Sequence, residues 1–337
     1  MIIRSKAPLR LGFAGGGTDV SPYSDQKGGA VLNATINRYA FTTLIPRSDK
    51  LIKVASLDFD TVAHFKVDQK STFNNAMDLA KGVIKKFGES PVGFELYTHS
   101  DAPAGSGLGS SSTMVVSLVG AFREWRMVPL TDYDIAHMAY EIERKDIGIE
   151  GGKQDQYAAA FGGFNFMEFD GGQAIINPLK VKPEIVNELE YNMLLCYTGT
   201  TRLSAKIIDK QMNNYIRGRK ETIEAMDLIK QNAIDMKKAL LTGKLKEFGE
   251  LLNFGWEQKK RMTNEITNPT INEMYEESKK AGAIGGKISG AGGGGFMMIY
   301  CQFDKKHKVA ARLRQMGGEI FDFQFEEKGL QTWRIYQ

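Results

Sequence analysis

Cysteine is nearly absent from this chain. Cys196 and Cys301 stand singly in the apolar runs "MLLCY" and "MMIYC", far from any second cysteine or any histidine at metal-ligand spacing. That excludes a disulfide framework and a zinc knot, and it marks both as buried strand residues in a reducing compartment, the cytoplasm. Long apolar runs are lacking too. The opening "MIIRSKAPLRLGF" is broken by Arg4, Lys6 and Arg10, and nothing elsewhere nears the roughly 18 apolar residues that would span a bilayer, so no membrane partner is expected. Nor does charge of one sign dominate. The 44 basic residues exceed the 40 acidic ones by only 4, and they come as scattered groups such as Lys85-Lys86 and Lys259-Lys260-Arg261, which read as solvated helix faces. Without a concentrated basic stripe, nucleic acid is not expected as a partner. Internal repeats and low-complexity tails are missing as well.

The 337 residues exceed what one hydrophobic core usually serves, so two domains are expected, 1–185 and 186–337. In the first, strand-like and glycine-rich stretches alternate. "VGFELYTH" (92–99) has the period of two of a half-buried strand, and after "DAPAGSGLGSSST" (101–113) Met114, Leu118 and Phe122 recur at helical spacing with Val115 and Val119. The loop therefore joins a strand to a helix, with Ser110–Ser112 placed to cap its free amides. A helix over roughly 132–146 and a small-residue helix in "YAAAFGG" follow. Beyond about residue 180 come a strand (191–197), charged helices across 203–262, a helix at 270–281, an apolar strand, a helix and two final strands. The pattern is α+β.

Three glycine-rich stretches carry the chemistry. "APLRLGFAGGGTD" (7–19) ends a strand in three glycines that permit close approach of a ligand or of another backbone, followed by a hydroxyl and a carboxylate. "DAPAGSGLGSSST" lacks the lysine of a P-loop, since Ser110 follows Gly109, yet glycine-rich amides and a helix N-terminus attract phosphate without one. "GGKISGAGGGGF" allows close contact between two chain segments or between chain and substrate. The G-x-G-x-x-G spacing of a dinucleotide site is absent from "GSGLGS".

Taken together and in this order, the three stretches resemble the motifs of the GHMP kinases, the superfamily of galactokinase, homoserine kinase, mevalonate kinase and phosphomevalonate kinase. The resemblance runs from Ala7 to the last strands. It implies an N-terminal domain like the second domain of ribosomal protein S5, a ferredoxin-like C-terminal domain, and an active site in the cleft between them. "PLRLGFAGGGTDVSPYSDQKGGAVLNATIN" is most similar to the bacterial branch that uses ATP to phosphorylate D-glycero-D-manno-heptose 7-phosphate at O1, on the way to nucleotide-activated heptose for surface polysaccharide. Fucose kinases share the short motifs, and a non-catalytic sugar-binding regulator is the reading from another class. A homodimer is left open.

The resemblance also implies roles. Asp155, in "GGKQDQYAAAFGG", matches the catalytic aspartate that accepts the proton of the sugar hydroxyl or orients it. Arg10 stands where mevalonate kinases have lysine and galactokinases arginine; always charged, it can only act electrostatically, on Asp155 or on the transferred group. Pro103, Gly105, Gly107, Leu108, Gly109, Ser110, Ser111 and Ser112 form the ATP loop. Ser111 and, with one extra residue before Asp155, Glu143 match the Mg²⁺ ligands; Glu141 and Glu143 cannot share a helix face, so only one should enter the cleft. Thr18 and Asp19 match sugar-binding residues of galactokinase, with Gly16 and Gly17 in place of its Glu-His leaving room for a longer sugar. Gly290, Gly292 and Gly293 are expected beside the substrate. For a substrate phosphate the candidate is Arg202 in "YTGTTRLSAKI", with Thr200, Thr201 and Lys206 near a helix N-terminus.

Overall fold

The computed structural model describes residues 1–66, 77–88, 90–200 and 204–336. Its first part runs β1 (Ile2–Ala14), α1 (Tyr23–Lys27), β2 (Gly29–Pro46), β3 (Leu51–Ser56), β4 (Thr61–Lys66), α2 (Asp78–Phe87), β5 (Phe94–Ser100), α3 (Ser110–Arg126), α4 (Asp132–Tyr140), a π-helical turn (Glu141–Asp146), α5 (Gln154–Phe161), β6 (Phe164–Asp170) and β7 (Gln173–Pro178). The long β2 organises these strands. Its first half, Gly29–Ala34, pairs with β6 and its second half, Ala40–Pro46, with β5, while β1 runs antiparallel along its other edge. The two halves differ in burial: residues 29–36 are buried on both faces, whereas from Ala40 buried and half-buried positions alternate, the mark of a strand with one wet face.

α3 lies against this sheet, and every residue from Ser112 to Phe122 is buried. A helix apolar on all sides belongs in the middle of a fold. Gly120 lets Leu330 approach to where a Cβ would sit 2.7 Å from it.

The second part runs α6 (Pro183–Asn192), β8 (Met193–Tyr197), α7 (Ser204–Ile216), α8 (Lys220–Leu241), α9 (Leu245–Lys260), α10 (Pro269–Ala281), β9 (Ala283–Ile288), β10 (Phe296–Cys301), α11 (Lys306–Gln315), β11 (Glu319–Phe321) and β12 (Gln331–Ile335). β11-β8-β10-β9 form an antiparallel sheet. Numbered from β8, that order is 4-1-3-2 with helices after the first and third strands, the ferredoxin-like arrangement. The fold is thus α+β with the expected C-terminal architecture. Cys196 and Cys301 lie buried on β8 and β10, and burial pushes both thiols up to about 12.

Three local expectations are corrected. The helix expected over 132–146 is α4 followed by a π-turn. The strand expected from 191 starts at Met193, because α6 runs through Asn192. β12 does not stay with the second sheet: it pairs with β1 from Ile2–Ile335 to Lys6–Gln331, so a single cut at 185/186 leaves this strand on the wrong side.

One hydrophobic cluster joins the two sheets. Leu9, Leu11 and Phe13 of β1 share it with Phe248, Leu252 and Met298, the Phe13 and Phe248 rings standing edge-to-face at 5.3 Å. β1 is therefore buried on both faces from Ala7 onward, and its end stands where the two halves meet.

Candidate active site

A cleft of about 450 Å³ opens at that meeting point, lined by Gly16, Gly105, Ser111 and Asp155 from the first part and by Lys259 and Gly290 from the second. Its floor is the contact between the second and third glycine stretches. A Cβ on Gly107 would stand 2.3 Å from the Ser289 backbone oxygen, and one on Gly290 would stand 2.8 Å from the Gly107 Cα. Further along, the Phe296 amide donates to the Ser106 carbonyl at 2.9 Å. The third stretch thus seats one chain segment on another. Gly290 also lines the cleft, but Gly292 and Gly293 do not: Gly293 donates its amide to the Ile266 carbonyl at 2.7 Å, and a Cβ on Gly292 would meet that same oxygen at 2.7 Å. They shape the loop behind the site.

α3 begins at this floor. Its N-cap is Gly109, left-handed at φ 80°, and no side chain caps the helix. The first amides of α3 therefore stay open toward the cleft, with the positive end of the helix dipole behind them. The serines expected as caps do something else: Ser111 and Ser112 donate to Glu143 Oε1 and Oε2 at 2.7 and 2.6 Å. Gly105, Gly107, Gly109 and Ser110–Ser112 line the cleft. Pro103 and Leu108 lie outside its lining; the Leu108 carbonyl is taken by the Arg10 amide at 3.1 Å.

Arg10 is only 3% exposed. The β1–β2 register slips between Pro8 and Arg10, and such a bulge re-aims the next side chain. Its guanidinium donates through Nε to Asp155 Oδ1 at 2.7 Å, and through Nη1 to the Gly107 carbonyl at 2.7 Å and Ser289 Oγ at 3.4 Å. One side chain thus ties together all three glycine stretches and α5. Asp155, in the first turn of α5 with a fifth of its side chain exposed, has no hydrogen bond to Oδ2 among the described residues. Oδ2 lies 3.3 Å from where a Gly109 Cβ would be, so the open carboxylate oxygen stands directly over the helix N-terminus.

Glu143 reaches the same place through the π-turn. A π-turn accommodates one residue more than an α-turn, and here it brings Glu143 inward. Glu143 is 1% exposed and takes donors from Ser111, Ser112 and Gln156, while Arg144 Nη1 lies 3.3 Å from its Oε1. Glu141 turns outward to Lys86 and Lys145.

On the other flank, Gly16, Gly17 and Asp19 line the cleft. The Asp19 carboxylate accepts from the amides of Gly17 and Gln154, at 3.0 and 3.1 Å. Thr18 does not reach the cleft. It is fully buried, and its hydroxyl is used up between the carbonyls of Gly15 and Ala30 and the Ala30 amide, so it holds the loop and has nothing left for a sugar. Arg202 and Thr201 lie outside the described residues; Thr200 packs on Gly294, and Lys206 is exposed.

Sequence reasoning missed Lys259. The run Lys259-Lys260-Arg261 reads as a solvated face, yet Lys259 is 3% exposed, and its ammonium donates to the carbonyls of Gly290 at 2.8 Å and Gly16 at 3.5 Å. Burial pushes it down to about 8, against the pull of Asp19 and Asp155 and with a further push from Arg10. The signal was its position: Leu245, Phe248, Leu252, Trp256 and Lys259 form one buried stripe at helical spacing, so the lysine ends an apolar face. Lys287 was missed as well; buried on β9, it donates to the carbonyls of Gly12 and Phe13, and burial lowers its pKa well below the ordinary lysine value.

This assembly can be compared with known proteins. Residues 74–163 match the family model for the GHMP kinases N terminal domain and residues 236–319 that for the GHMP kinases C terminal. A protein of Campylobacter jejuni named D-glycero-alpha-D-manno-heptose 7-phosphate kinase is 43% identical over 338 residues, covering 99% of each chain. The chain belongs to the GHMP kinase family. Among solved structures, a D-glycero-D-manno-heptose 1-phosphate kinase from Bacteroides thetaiotaomicron superposes with a TM-score of 0.85 at 43% identity, covering 99% of this chain and 100% of that one. The galactokinase of Lactococcus lactis complexed with galactose shares the fold, with a TM-score of 0.76 at 21% identity, over 98% and 95% of the two chains. The L-fucokinase/L-fucose-1-P guanylyltransferase of Bacteroides fragilis is 27% identical over 94% of this chain but only 36% of its own length. As a GHMP kinase the chain is an ATP-dependent kinase. Among the described residues no helix is long and apolar enough to cross a membrane.

Proposed function

We propose that this GHMP kinase phosphorylates a manno-heptose phosphate at the expense of ATP, D-glycero-D-manno-heptose 7-phosphate at O1, giving the 1,7-bisphosphate for nucleotide-activated heptose. The observation that carries the chemistry is the Arg10–Asp155 pair: Oδ1 is clamped and Oδ2 is left open above the N-terminus of α3. Oδ2 accepts the proton of the attacking hydroxyl or holds that hydroxyl in line. The open amides of α3 and the Gly105–Gly109 loop hold the phosphates of ATP. Arg10 stays charged throughout and steadies both the carboxylate and the charge of the group in transit. The names of the Campylobacter and Bacteroides relatives supply the sugar; they differ in the position of its phosphate, which makes the acceptor the point to test.

The residues present suit Mg²⁺. Ser111 and Glu143 offer hard oxygens at the cleft, 2.7 Å apart, and no group of three acidic, histidine or cysteine ligands occurs among the described residues. A site that supplies few protein oxygens and leaves the rest to phosphates and water is the usual magnesium arrangement in kinases. When bound there, the ion neutralises phosphate charge. Gly16, Gly17 and Asp19 form the acceptor side, and two buried free cysteines agree with a cytoplasmic setting.

The test is ATP consumption against heptose 7-phosphate, heptose 1-phosphate, fucose, mannose, galactose, mevalonate and homoserine, with Asp155→Asn as control. Heptose 7-phosphate should be used best, and Asp155→Asn should lower kcat by about 10²–10⁴-fold. Equal turnover of galactose or fucose would overturn the acceptor, and full activity of Asp155→Asn would overturn the mechanism.

A further inference from the structure

The buried cations around the cleft differ in what balances them. Arg10 is paired with Asp155, Arg144 lies beside Glu143, and Lys153 bonds to Asp25. Among the described residues Lys287 has only carbonyl partners, those of Gly12 and Phe13 on β1, and it does not line the cleft. Lys259 does line the cleft and has no ion pair among the described residues; its partners are two carbonyl oxygens. An ammonium has three donors, and carbonyls do not neutralise a buried charge. Such a group keeps its place at a cost in folding unless a ligand completes it.

Its position says which ligand. Lys259 Nζ bridges Gly16 to Gly290 and lies 3.6 Å from where a Gly16 Cβ would be; Gln154 Nε2 lies 3.5 Å from the same point. This is the flank of Asp19, whose carboxylate takes the Gln154 amide, and Asp19, Arg10 and Asp155 are all close enough to Lys259 for their charges to act on it. A cation here faces the acceptor and not the nucleotide. We propose that Lys259, carried on α9 of the second part, is an acceptor-binding residue whose ammonium donates to oxygen atoms of the sugar substrate, so that recognition of the acceptor is shared between the two halves of the chain. The proposal rests on the acceptor flank assigned above.

The charged and titratable groups around Lys259 are Asp19 on the first glycine loop, Arg10 on β1, Asp155 on α5 and Lys287 on β9. With its pKa near 8, Lys259 carries its proton below that pH and loses it above. Acceptor KM should therefore climb as pH passes about 8, reaching about tenfold one unit higher, while KM for ATP does not follow.

The experiment measures both KM values from pH 6.5 to 9.5 for the wild type, Lys259→Met and Lys259→Arg, using the best acceptor of the panel, or calorimetric binding of heptose 7-phosphate if none turns over. Lys259→Met should raise acceptor KM about 10- to 100-fold at neutral pH, leave ATP KM unchanged and abolish the climb. Lys259→Arg should keep much of the acceptor affinity and also lose the climb, which a merely structural lysine would not produce. The proposal falls if Lys259→Met leaves acceptor KM at the wild-type value, or if ATP KM rises in step with it. Should Lys259→Met fail to fold, an unaltered climb in Lys259→Arg overturns it equally. Failure of heptose 7-phosphate in the panel removes the proposed substrate and leaves this test intact.

Discussion

Adding one methyl group at Gly107 tests whether the second and third glycine stretches must touch. Its φ is 83°, and a Cβ would lie 2.3 Å from the Ser289 oxygen and 3.0 Å from the Ser289 carbonyl carbon. Non-bonded heavy atoms settle at about 3.5–4.0 Å, so the loops must part by roughly 1 Å. In Gly107→Ala the left-handed backbone costs about 1–2 kcal/mol and the overpacking about 1–3 kcal/mol. Together these lower Tm by roughly 3–7 °C in a chain of this size. The same displacement moves the Gly107 carbonyl, which accepts from Arg10 Nη1 at 2.7 Å, and with it the Arg10–Asp155 pair. A misplacement of about 1 Å at reacting groups is worth about 10²-fold in rate. Gly317→Ala is the control: its φ is 85° and nothing lies within 4 Å of the added Cβ, so it carries only the backbone cost. Thermal unfolding and coupled ATP consumption on both variants separate the two contributions. If Gly107→Ala melts with Gly317→Ala and keeps the wild-type kcat, the contact between the loops is not what holds Arg10, and the account of the cleft floor is wrong.

Glu143→Gln keeps the shape of the buried side chain and removes its charge; the Mg²⁺ concentration for half-maximal rate should rise about tenfold or more, given the weight of a charged oxygen at such a site. A magnesium titration identical to the wild type would remove Glu143 from the metal. Phe13→Ala empties the ring cluster with Phe164, Phe248 and Phe325 at the seam. It should cost about 3–5 kcal/mol and split the calorimetric transition as the two parts lose their shared core. A Tm within a degree or so of the wild type, in one transition, would show that the seam does not couple them.

Local pattern carried much of this architecture and little of its long-range assembly. The strand at Phe94–Ser100 and the helix from Ser110 follow from neighbours in sequence, since a period of two changes to a period near four across a glycine loop. The order of the glycine stretches carried their convergence, through the family they resemble. What stayed hidden depends on partners far along the chain. β12 pairs with β1 across more than three hundred residues, and nothing in "QTWRI" names that partner. The π-turn keeps Ile142 buried as an α-helix would, so its extra residue leaves no trace in the apolar spacing. Thr18 looked chemical because it adjoins Asp19, but its hydroxyl had to satisfy buried carbonyls that only the fold brings to it.

The loop without a lysine shows what this assembly accomplishes. A P-loop carries its cation within the motif, so the phosphate site is complete as soon as one strand, loop and helix form. Here Arg10 comes from β1 and Lys259 from α9, so the cleft has both cations only when distant segments have packed. Charge that would repel in a single short loop is spread over elements fixed by a shared core, with Asp155 paired to Arg10 and near enough to act on Lys259. It follows that the acceptor should stabilise the packing of the two parts against one another, because it bridges Lys259 of the second part to groups of the first that the seam alone brings together. Added acceptor should therefore recover much of the cooperativity lost in Phe13→Ala, an outcome that an acceptor site contained within one part could not produce.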